Sequence, residues 1–94
     1  MAGVLYFCIM LTTIDAQNHI YKLTIEYQEK EYTYKASMIQ FHAGEERWHV
    51  YTKSRILFLI YNTARKKLRE DLLHGQLPLP DDFLKELEKS FQQK

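Results

Sequence analysis

The sequence predicts an α+β fold: a three-stranded antiparallel meander packed on a long helix and followed by a second, C-terminal helix. Three observations predict it. Apolar and polar residues alternate from Ile20 to Tyr27 and again from Tyr32 to Phe41, the period of strands with one face in a core. After Tyr51 the apolar residues recur at spacings of three and four, up to Gly75. A last apolar stripe, Phe83/Leu84, Leu87 and Phe91, follows the Pro78 and Pro80 break.

The first strand places Tyr21, Leu23, Ile25 and Tyr27 on one face and Lys22, Thr24 and Glu26 on the other. The tetrad Gln28-Glu29-Lys30-Glu31 reads as a hairpin loop, after which Tyr32, Tyr34, Ala36 and Met38 oppose Thr33, Lys35 and Ser37. Pairing Tyr27 with Tyr32 puts the apolar residues of both strands on one face, and a slip of one residue destroys that match. A second hairpin through Ala43-Gly44-Glu45-Glu46 sets Phe41 across from Trp48 and Ile39 across from Val50, which completes a sheet over residues 19–51.

This register collects Ile20, Ile39, Phe41, Trp48 and Val50 at one end of the face otherwise held by Lys22, Thr24, Thr33, Lys35 and Ser37. An apolar patch of that kind requires a cover, from the N-terminal run, a second subunit or a partner.

The long helix is expected over 54–75, with Ser54 as N-cap and Ile56/Leu57, Ile60/Tyr61, Ala64, Leu68 and Leu72 on its buried stripe. Its first turns, Ile56 to Tyr61, are apolar all round. That pattern demands burial on more than one side, or else a strand that continues from the last hairpin arm. The Gly75-to-Pro80 stretch is a linker, and Asp81 or Asp82 opens the final helix over 81–92.

Upstream, Val4 to Leu11 is an apolar run that suits a fourth strand, with residues 1–16 as N-terminal strand or extension. No Lys or Arg precedes the run and it is too short to span a bilayer, so neither a signal peptide nor a membrane anchor is expected. Met10-Leu11-Thr12-Thr13 also reads as a translation start, which would leave residues 1–9 as an upstream extension.

At 94 residues one core suffices, since a chain of this size buries about two-thirds of its unfolded surface. One domain, 1–94, is therefore expected. The single cysteine, Cys8, forms no intramolecular disulfide and points to a cytoplasmic protein. Chemistry is sparsely represented. Three glycines, Gly3, Gly44 and Gly75, build no phosphate-cradling loop, and no Gly-x-Ser-x-Gly elbow occurs. His42 and His49 are seven apart across a glycine turn, whereas a zinc-protease helix needs histidines four apart. No catalytic residue, metal or cofactor is assigned.

Charge is unevenly distributed behind the net value of +1. From Arg47 to Arg69 there are seven basic residues and no acid, between segments that each carry −3. Two functional readings follow. One is a small non-catalytic interaction module that buries the Ile20/Ile39/Phe41/Trp48/Val50 patch in a homodimer or a protein partner. The other is a nucleic-acid-binding domain using Lys53, Arg55, Arg65, Lys66, Lys67 and Arg69, the first two at a helix N-terminus, where free N–H groups favour an anion.

Overall fold

A computed structural model describes residues 10–72 and 77–93. The described residues form six strands and then one helix: β1 (Met10–Asp15), β2 (Ile20–Tyr27), β3 (Lys30–His42), β4 (Glu45–Tyr51), β5 (Ile56–Asn62), β6 (Lys67–Glu70) and α1 (Asp81–Gln92). All six strands belong to one antiparallel sheet, ordered as in the sequence. The expected fold, three strands on a long helix with a second helix after it, is therefore incorrect.

The two alternating segments are β2 and β3, and their apolar faces lie where the alternation puts them. Their register is displaced by two residues: Tyr27 pairs with Lys30, Ile25 with Tyr32 and Leu23 with Tyr34. The reason is a two-residue turn. Gln28 and Glu29 take φ values of 53° and 65°, the left-handed pair that fits the twist of flanking strands even without the usual Asn-Gly. An even displacement preserves which face each side chain occupies.

Between β3 and β4 the displacement is odd. Ala43 and Gly44, at φ 53° and 80°, make the turn, and the ladder then slips between Met38 and Gln40. This β-bulge puts one extra residue, Ile39, into β3, and the part of β4 beyond it, from Trp48 to Tyr51, changes sides relative to β3. Trp48 pairs with Met38 and Val50 with Ala36, on the face shared by Leu23 and Ile25. Trp48 and Val50 are consequently core residues, 1% and 0% exposed.

The expected helix over 54–75 is replaced by β5, a turn and β6. Leu57, Leu59 and Tyr61 point into the core, and Ile60, on the other face between Arg47 and Arg69 of the neighbouring strands, is buried as well. With Ile56, Phe58 and the buried Ile60 on its outer face, the strand is apolar on both sides from Ile56 to Tyr61, which reproduces the all-round apolarity of the first turns of a buried helix. Ser54 sits in the β4–β5 turn and caps nothing; there Thr52 Oγ1 accepts the Arg55 N–H at 3.0 Å.

Helix α1 follows the Phe83/Leu84, Leu87 and Phe91 spacing, and Asp81 and Asp82 in its first turn complement the dipole. Its backbone lies close to β2, β6 and β1. The central strands meet it through long side chains instead: the Phe91 ring lies 4.9 Å from that of Trp48 on β4 and 5.6 Å from that of Tyr61 on β5. A sheet whose first and last strands approach one helix, while its middle stands off by the length of an aromatic side chain, is concave around that helix. The inner face holds the hydrophobic core.

The helix also seals one edge. The Leu68 N–H of β6 donates to Glu88 Oε2 at 2.8 Å, and Gln92 Nε2 donates to the Lys66 carbonyl at 2.8 Å. These side chains occupy backbone groups that would otherwise template a further strand.

Candidate interaction groove

The five residues of the expected apolar patch do not form one surface. Trp48 and Val50 lie in the core, and Ile20 is half-buried near the β1–β2 turn. Ile39, in the bulge, and Phe41 beyond it are 52% and 61% exposed. Phe41 pairs with Glu46 and so falls on the inner-face side of the hairpin tip. The patch depended on an unbulged β3–β4 ladder, which the extra residue at Ile39 abolishes.

The basic residues are likewise divided. Lys53 and Arg55 belong to the β4–β5 turn, whereas Arg65 and Lys66 form the β5–β6 turn and Lys67 begins β6. The seven residues of β5 stand between them, a separation of roughly 20 Å at about 3.3 Å per residue. No helix N-terminus lies at Lys53 and Arg55, so the anion site expected there does not exist. Several of the cations are already engaged. Arg55 pairs with Glu70 at 3.6 Å and donates to the Leu77 carbonyl, Arg69 pairs with Glu45 at 3.4 Å, and Arg47 pairs with Asp71 at 3.0 Å.

Among the described residues, no three His, Cys, Asp or Glu side chains converge as a metal site, and no helix is long and apolar enough to cross a membrane. Cys8, His74 and the apolar run through Ile9 lie outside the described residues.

A different feature arises from unequal strand lengths. β3 has 13 residues and β4 has seven, and β4 ends with Tyr51 opposite Lys35. The stretch of β3 from Lys30 to Tyr34 is therefore paired with β2 on one side and has no strand of the described residues on the other. The direction of its backbone groups follows from the ladder. Lys30 closes a two-residue turn against Tyr27, and the Met38 N–H donates to the His19 carbonyl at 3.1 Å. In antiparallel pairing hydrogen-bonded and non-hydrogen-bonded pairs alternate, so even-numbered residues from Lys30 to Met38 bond to β2. The N–H and C=O groups of Glu31 and Thr33 must then point the other way, beyond the end of β4.

They point into a groove of about 700 Å³ lined by Glu31 to Lys35 and Tyr51 to Ser54. Tyr32 and Tyr34 lie on its inner-face side with stacked rings, 6.2 Å between centroids. Thr33, Lys35 and Tyr51 lie on the outer side, with Lys35 Nζ over the Tyr51 ring at 5.9 Å. Burial, followed by the proximity of Tyr32, raises the pKa of Tyr34 above its ordinary value, so its hydroxyl stays a neutral donor at physiological pH. The Thr52–Ser54 turn closes one end of the groove and the Lys30 end is open. Lys53 is exposed at the closed end and makes no ion pair among the described residues.

Sequence reasoning missed this site because it depends on where β4 stops relative to β3, which two turns and a bulge decide. The only sequence signal is that the alternating run around Tyr32 to Ser37 begins farther from the Ala43-Gly44 turn than β4 extends beyond it.

No known protein family, curated protein or solved structure is matched by this chain.

Proposed function

We propose that the protein is a small non-catalytic interaction module that receives an extended segment of a partner protein as an added strand along the Lys30–Tyr34 stretch of β3. The observation that carries this reading is the pair of residues, Glu31 and Thr33, whose main-chain groups face a groove at the end of β4. Strand addition at a free sheet edge draws affinity from main-chain hydrogen bonds and specificity from pockets for alternate side chains. Here those positions are the Tyr32/Tyr34 side and the Thr33/Tyr51 side. At the β6 edge the Leu68 N–H is taken by Glu88 and the Lys66 carbonyl of the preceding turn by Gln92, so these groups are withdrawn from pairing whereas those of Glu31 and Thr33 face the groove. Cytoplasmic residence, which suits a chain with one cysteine, belongs to the same proposal.

The test is selection of random ten-residue peptides on the full chain, followed by amide hydrogen exchange with and without a selected synthetic peptide. Slowed exchange at Glu31 and Thr33 is expected. Thr33→Pro, which removes one groove-facing N–H without touching a bond to β2, is expected to abolish binding. Absence of enriched peptides, or binding that leaves exchange at Glu31 and Thr33 unchanged, refutes the reading.

A further inference from the structure

We infer that the segment taken by this groove is a free C-terminal end, with its α-carboxylate beside Lys53. The inference rests on the strand-addition reading and adds the chemistry and direction of the bound chain.

The shape of the groove supplies the first argument. A strand laid along β3 from the open Lys30 end continues the line of β4 until it meets the Thr52–Ser54 turn. Within the sheet it can go no farther, because Tyr51 already occupies the position opposite Lys35. A chain end fits this dead end without having to leave the sheet.

Charge decides which end. Lys53 stands in the closing turn and Lys35 on the adjoining wall, while Glu31 lies toward the open end. An α-ammonium group at the closed end would face two lysines. An α-carboxylate there meets the exposed Lys53 ammonium, which makes no ion pair among the described residues, and the Ser54 hydroxyl, and the charge-assisted contact is stronger than a neutral one. With its carboxylate at the closed end, the bound segment runs in the same direction as β3 and pairs with it in parallel. Its side chains then alternate between the Tyr32/Tyr34 side, which favours an apolar residue, and the Thr33/Tyr51 side.

The experiment compares two displayed libraries on the full chain, one ending in free C-termini and one with free N-termini and blocked C-termini. It then compares one selected peptide synthesised as the acid and as the C-terminal amide. Binders are expected from the first library, with the amide about tenfold weaker or more. The acid-to-amide ratio is expected to fall to about one in Lys53→Ala, a change in an exposed turn, and to persist in Lys85→Ala on α1. Equal affinity of acid and amide, or binders from the blocked library alone, overturns the inference. If those binders still slow exchange at Glu31 and Thr33, strand addition survives and end recognition alone fails. If exchange is unaffected, both fall.

Discussion

The Trp48 indole N–H donates to Glu46 Oε1 at 3.0 Å inside the core. Both residues lie on β4, two apart and on the same inner face, and Glu46 is only 8% exposed. Glu46→Ala leaves a buried donor without that acceptor and should lower stability by about 1–3 kcal/mol. Glu46→Gln retains an acceptor oxygen and should lose clearly less. Urea denaturation followed by fluorescence of Trp48, the single tryptophan, measures both.

Phe91 fixes the helix in the concavity of the sheet. It is 1% exposed and touches the Trp48 and Tyr61 rings. Phe91→Ala should cost about 3–5 kcal/mol, enough to unfold a domain of ordinary stability, and Phe91→Leu substantially less. Loss of near-ultraviolet circular dichroism in the alanine variant, with partial retention in the leucine variant, is the expected outcome.

The β2–β3 turn holds Gln28 and Glu29 at positive φ, which residues with a Cβ adopt reluctantly. The double substitution Gln28→Asn and Glu29→Gly suits this turn type and should raise the urea midpoint, by about 0.5–1 kcal/mol in stability. At the other hairpin, Gly44→Ala meets no close neighbour, the nearest atom being Thr63 Oγ1 at 4.0 Å, yet φ +80° strains any L side chain. A loss of about 1 kcal/mol is expected.

The alkaline limit of stability should lie with tyrosines. Burial, first of all, raises Tyr34 and Tyr61 above the ordinary value of 10.0. The folded state thus retains phenolic protons that the unfolded chain releases, and stability must fall with rising pH once the unfolded tyrosines ionise. Thermal midpoints should be insensitive to these groups below about pH 9 and decline from about pH 10 upward. Tyr34→Phe should reduce the alkaline slope.

The sealing of β6 can be tested separately. Glu88→Ala frees the Leu68 N–H, and the expected result is faster amide exchange at Leu68 together with about 0.5–1.5 kcal/mol of lost stability. If the strand edge matters for solubility, the same variant should also self-associate more readily at high concentration.

Local pattern was enough to read β2 and the first half of β3, because alternation reports which side chains share a face whatever the register. It was insufficient at three places. The Gln28–Glu29 turn carries none of the residues that usually announce positive φ, so the hairpin register came out two residues displaced. Ile39 looks like any other strand residue, and nothing local shows that it bulges and thereby sends Trp48 and Val50 inward. Residues 56–72 present both periods at once: Leu57, Leu59 and Tyr61 alternate, while Ile60, Ala64, Leu68 and Leu72 recur at helical spacing. The apolar outer face of β5, Ile56, Phe58 and Ile60, erased the polar half of the alternation that would have distinguished them. The groove was illegible for a further reason, since it is a difference in length between two strands and belongs to no single residue.

Each strand of the sheet is paired with its neighbour in sequence, so the chain can zip up hairpin by hairpin as it leaves the ribosome. The groups that close the β6 edge, Glu88 and Gln92, are synthesised after all six strands. Until α1 is in place the Leu68 N–H and the Trp48 ring lack the cover that Glu88 and Phe91 give them, so one helix both caps the β6 edge and closes the inner face.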